Sequence, residues 1–107
     1  MKLQEAMNKF LDIINSGNLD TILVCDLHVV GSANRPYIFY PYIEKGVSQG
    51  ISTNSWQFLD SRTVMLNEYI TSDNWEIIRG KDIDLNYIRC EVSNFYYYFL
   101  QQTFKGC

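Results

Sequence analysis

Residues 56–78, WQFLDSRTVMLNEYITSDNWEII, hold both tryptophans of this 107-residue chain, one at the start and one near the end. Between them, Asp60 or Ser61 can cap a helix, because a short side-chain oxygen accepts from the unpaired N–H groups of a first turn. Val64, Met65, Tyr69 and Ile70 supply its apolar side over roughly two to three turns. Thr71-Ser72-Asp73-Asn74 breaks it, since short polar side chains compete with the helical ladder for backbone groups. Trp75-Glu76-Ile77-Ile78 then reads as a strand closed by Arg79-Gly80. A helix feeding a strand points to an α+β fold.

Working back toward the N-terminus, residues 44–54 carry Gly46 and Gly50 around Val-Ser-Gln. This reads as a turn-rich hairpin region leading into a strand near residues 52–58. Before it, residues 37–43, YIFYPYI, read as a strand. Pro41 cannot donate to a ladder, so it sits at an edge, at a bulge, or ends that strand. Residues 31–34 are a loop. Residues 21–30, TILVCDLHVV, form a strand buried on at least one face, with Asp26 and His28 sharing its more exposed side. Leu3, Ala6, Met7, Phe10, Leu11, Ile13 and Ile14 recur at helical spacing, and Gly17 stands where a left-handed cap ends that helix.

On the other side lie residues 81–107, a C-terminal extension of ambiguous pattern. Leu85, Ile88, Val92, Phe95, Tyr96, Phe99 and Thr103 step mostly by three and four, which fits a long amphipathic helix opened by Asp82 or Asp84. The alternative is a hairpin in which YIRCEV and FYYYFLQQ turn at Ser93-Asn94, favoured by the aromatic content. The helix is preferred. The whole is one domain: an N-terminal amphipathic helix on a small antiparallel sheet, a short second helix, and the extension.

Composition narrows the function classes. The chain is 47% hydrophobic, 15% aromatic and 20% charged, which argues against disorder. No apolar run approaches the roughly 18–20 residues needed to span a bilayer. Gln4, Glu5, Asn8 and Lys9 interrupt the N-terminus in a way that a signal peptide does not. Cys25, Cys90 and Cys107 are odd in number and lack metal-like spacing, which fits reduced thiols in a cytoplasmic protein. A net charge of −3 has the wrong sign for a phosphate-backbone binder.

Catalysis finds little support. His28 is the single histidine, and a lone strand histidine is more often structural than catalytic. Asp82 and Asp84 without further ligands suit a helix cap better than a metal site. The glycines of EKGVSQG could cradle a phosphate, but a hairpin turn explains them more simply. Nucleophile-elbow, P-loop and dinucleotide fingerprints are absent, and no cofactor is called for.

Binding is better supported. Eight tyrosines, six phenylalanines and two tryptophans exceed what a core of this size absorbs. Some of Tyr37, Phe39, Tyr40, Tyr42, Tyr96, Tyr97 and Tyr98 belong at a pocket or a subunit interface.

Pro41-Tyr42-Ile43, Lys45-Gly46, Trp56, Ser61, Met65-Leu66 and the run DNWEII at 73–78 together resemble the small bacterial and phage domain family that includes the Thoeris anti-defence nucleotide sponges. The likeness covers residues 3–78. Val64 stands where that family usually has an acidic residue, the interval from Leu66 to Trp75 is longer, and residues 25–31 lack a Gly-Trp pair. The resemblance implies a non-enzymatic phage protein that sequesters a cyclic nucleotide-type immune signal in the host cytoplasm. It also implies a homo-oligomer with ligand pockets between protomers, and neither a nucleic-acid polymer nor a membrane as partner. Under it, Trp56 and Trp75 are core or pocket walls, Tyr42 or Tyr40 offers a stacking face, and Arg35, Lys45 or Arg62 meets phosphate. The competing expectation is an inhibitor that binds a host or defence protein through an exposed aromatic surface.

Overall fold

The computed structural model describes residues 1–25, 36–54 and 67–105. Helix α1 (Leu3–Asn15) turns Ala6, Phe10 and Ile14 inward at four-residue intervals. It ends as its glycine predicts. Gly17 takes φ +92° and donates to the Ile14 carbonyl at 2.9 Å, while Asn18 reaches back to Ile13 at 3.3 Å. That pair of bonds satisfies carbonyls left over at a helix end.

Strands β1 (Thr21–Cys25), β2 (Tyr37–Glu44), β3 (Val47–Thr53) and β4 (Trp75–Arg79) form one sheet in the order β3-β2-β1-β4. Every neighbouring pair is antiparallel. Leu23 stands opposite Phe39 on one side and Ile77 on the other. All five residues of β1 are buried, because both faces of the sheet are covered. Leu23 and Cys25 join Tyr37, Tyr69 and Trp75 beneath α1. Ile22 and Val24 join Ile38 and Tyr40 against Ile83, Ile88, Val92, Tyr96 and Leu100. The C-terminal segment is therefore a third layer of the α+β domain and supplies five of the nine buried residues in the cluster on that face.

That segment is helical, with a correction to its form. Instead of one long helix there are two, α3 (Leu85–Ile88) and α4 (Asn94–Lys105). Asp84 opens α3 by accepting from the N–H groups of Asn86 and Tyr87. Asp82 lies in the preceding 3-10 turn, Gly80–Asp82. Ser93 opens α4: its Oγ accepts from Tyr96 N–H at 3.2 Å. The Ser-Asn pair that could have turned a hairpin is a helix cap, a role open to the same short polar side chains.

The 44–54 region also differs from its reading. Only Lys45 and Gly46 turn, with φ +54° and +79°, and Glu44 pairs directly with Val47. Positive φ at both central residues is the geometry of a tight two-residue hairpin. The strand expected near residue 52 starts at Val47. The register shifts between Tyr42 and Ile43, opposite Ser48 and Gly50. Pro41 neither ends β2 nor lies on an outer strand. It sits beside this irregularity, beyond the stretch paired to β1, which covers Tyr37 to Phe39.

The second helix is described over α2 (Asn67–Ile70). Its expected start at Asp60 or Ser61, and residues 26–35 with Asp26 and His28, lie outside the described residues. Among the described residues no helix is long and apolar enough to cross a membrane.

Candidate functional site

The residues singled out from the sequence fall into three groups. Trp75 is buried, and its indole N–H donates to the Tyr69 carbonyl at 2.7 Å. The rings of Phe39 and Tyr37 lie 5.8 and 6.2 Å from it. This is a core wall under α1, where β4 sets Trp75 opposite the buried Cys25 at the end of β1. Tyr40 is buried too. Its ring stacks on Tyr96 at 5.2 Å, and its hydroxyl accepts from Ser93 N–H at 3.1 Å. Both residues are committed to packing, with little surface left for a ligand.

Tyr42 and Lys45 are placed differently. Tyr42 is 51% exposed. It stands opposite Gly50, and a Cβ built at that glycine meets nothing within 4 Å. The cross-strand neighbour thus leaves the ring uncovered. Lys45 is exposed in the hairpin turn, three residues further on. An uncovered aromatic face with a cation on the same hairpin can stack on a heterocycle and attract a phosphate. Arg35, Trp56 and Arg62 lie outside the described residues.

Two features were not singled out. Asn54, fully buried after β3, accepts from Ile38 N–H at 2.9 Å and donates to the Pro36 carbonyl and the Glu91 carboxylate, each at 2.7 Å. One side chain thereby ties β2 and the segment before α4 to the end of β3. Burying an amide is tolerable only when its donors and acceptors are met. A lone Asn after a Ser-Thr run carries no sequence signal for such a role.

The second feature is the outer face of α4, where Phe95 is 87% and Tyr98 62% exposed. Sequence spacing put Phe95 on the buried stripe. The structure gives that stripe to Ile88, Val92, Tyr96 and Leu100, four apart throughout, and turns Phe95 away from it. Inside, Tyr96 donates its hydroxyl to the Leu19 carbonyl at 2.9 Å and lies 3.3 Å from that of Thr21. Burial first, and the nearby Asp20 carboxylate second, hold the Tyr96 phenol well above the usual tyrosine range. It is a fixed neutral donor.

Among the described residues no three His, Cys, Asp or Glu side chains gather as a metal site. No family model matches the chain, and neither the curated proteins nor the solved structures gave a match.

Proposed function

We propose that this protein is a non-enzymatic phage anti-defence factor that binds a cyclic nucleotide-type immune signal in the host cytoplasm and holds it as a homo-oligomer. The observation that carries the reading is the β2–β3 hairpin. The blocks PYI and Lys-Gly, two of those that carry the family resemblance, present an uncovered Tyr42 ring and an exposed Lys45. Sequestration needs no bond to break. Binding alone lowers the concentration of the messenger that reaches its effector.

The test is a thermal-shift titration with cyclic ADP-ribose isomers and cyclic dinucleotides. A ligand at 100 times its Kd adds about 2.7 kcal/mol of stability, and Tyr42→Ala abolishes that gain for a ligand stacked on the ring. An unchanged melting temperature with every compound sinks the reading.

One observation favours a second reading, a protein-directed inhibitor. Phe95 and Tyr98, a turn apart on α4, form an aromatic surface of the kind enriched at protein interfaces. If Phe95→Ser with Tyr98→Ser removes anti-defence activity while nucleotide binding persists, this second reading replaces the first.

A further inference from the structure

The glycine opposite Tyr42 bears on what the ring can hold. Tyr42 and Gly50 are cross-strand partners, and Ser48 Oγ donates to the Gly50 carbonyl at 3.3 Å. Side chains paired in this way set out from Cβ atoms about 4.5–5.5 Å apart. An aromatic ring opposite a glycine can fold across it and cover the bare main chain. Here it does not. A Cβ built on Gly50 meets no neighbouring atom within 4 Å, and both residues are exposed. The space where a side chain of residue 50 would stand is open, with main chain as its floor and the Tyr42 side chain next to it.

Backbone geometry alone explains why a glycine is present. The register shifts beside it, and its φ of +154° is one that L side chains rarely adopt. Geometry does not explain why the ring stands clear of that glycine, since folding over would bury apolar surface. A flat heterocycle accounts for both. It packs on the Tyr42 face at about 3.5–4.0 Å and passes over residue 50 without meeting a side chain.

From this we infer that Gly50 is the specificity-determining residue of the hairpin: its missing side chain is the slot through which a flat heterocycle reaches Tyr42. A methyl group narrows that slot, and a longer side chain fills it. Lys45, exposed in the turn of the same hairpin, suits an anionic group carried by the heterocycle. The inference rests on the nucleotide-binding reading above and adds the residue that decides which ligands enter.

The test is NMR of the full chain titrated with 5′-AMP, a single base with a single phosphate, and then with a cyclic ADP-ribose isomer and a cyclic dinucleotide. Wild type, Gly50→Ala and Gly50→Leu are compared, and the melting temperature of each is measured. Both variants place a Cβ at the same φ and so lose similar stability; only leucine also fills the slot. The expected result is that titration moves the Gly50 amide and Tyr42 ring signals of the wild type. The Kd of Gly50→Leu then exceeds that of Gly50→Ala at least tenfold, at matching melting temperatures. If Gly50→Leu fails to fold, the wild-type Gly50 and Tyr42 signals decide. Equal Kd values in the two variants overturn the slot and leave the glycine to the backbone alone. Saturable binding that leaves the Gly50 and Tyr42 signals unmoved overturns the slot and spares the nucleotide reading. Saturation by 5′-AMP without response to either cyclic compound upholds the slot and sinks that reading. No response to any of the three overturns both.

Discussion

Replacing Tyr96 by Phe keeps the ring between Tyr40 and Phe99, whose centroids lie 5.2 and 5.9 Å away, and removes only the hydroxyl. That hydroxyl serves the carbonyls of Leu19 and Thr21. Leaving buried acceptors short of a donor costs about 1–2 kcal/mol, and that is the expected loss at pH 7. The pH dependence then separates this cause from general damage. The folded-state pKa of Tyr96 is raised by burial and, to a lesser degree, by Asp20, whereas the unfolded phenol ionises near pH 10, at about its ordinary value. Below pH 10 both states hold the proton and the contribution is fully present. Above it the unfolded chain sheds a proton that the fold retains, so stability falls by up to about 1.4 kcal/mol per pH unit. The Phe variant lacks this term. Urea unfolding at pH 7, 9, 10.5 and 11, followed by tryptophan fluorescence, should therefore show a gap of about 1–2 kcal/mol that narrows or closes above pH 10. A gap that stays constant to pH 11 would refute the assignment of Tyr96 as a buried neutral donor.

Other perturbations test other parts of the frame. Asn54→Ala strands the Ile38 N–H and takes one donor each from the Pro36 carbonyl and the Glu91 carboxylate, and should cost about 2–4 kcal/mol in chemical denaturation with faster exchange at the Ile38 amide. Trp75→Phe loses the bond to Tyr69 and leaves a void under α1; about 2–4 kcal/mol is expected, and a loss under 1 kcal/mol would contradict the core role. Gly46→Ala meets no neighbour within 4 Å but must adopt φ +79°, so it should cost about 1 kcal/mol from the backbone alone, with Gly46→Asn milder because Asn tolerates that region.

Different parts of the sequence were legible for different physical reasons. α1 was readable because one apolar stripe and one glycine specify a helix and its end without reference to anything else. The C-terminal region set two local signals against each other, aromatic strand propensity and helical spacing. Spacing prevailed because Ile88, Val92, Tyr96 and Leu100 had a sheet face to cover. The break at Ser93 was harder to see, since a Ser-Asn pair serves a turn and a helix cap equally well. Gly50 misled in the opposite direction: it lies within a strand, at an irregularity that depends on pairing with β2. The exposed Phe95 and the buried Asn54 depend on tertiary contacts, which local pattern does not encode. For the candidate site, the sequence could nominate Tyr40 and Tyr42 alike. Only the strand register separates them, sending one beneath α4 and leaving the other opposite a glycine.

The burial of β1 on both faces has a consequence for how the chain is made. The strand leaves the ribosome early, yet the Tyr96 hydroxyl that docks on Thr21 follows 75 residues later. At synthesis rates of about 5–20 residues per second, that interval lasts roughly 4–15 s. Throughout it, Ile22 and Val24 have no C-terminal layer to pack against. Truncation before α4 would make that exposure permanent, so a shortened chain should be recovered as aggregate or bound to chaperone.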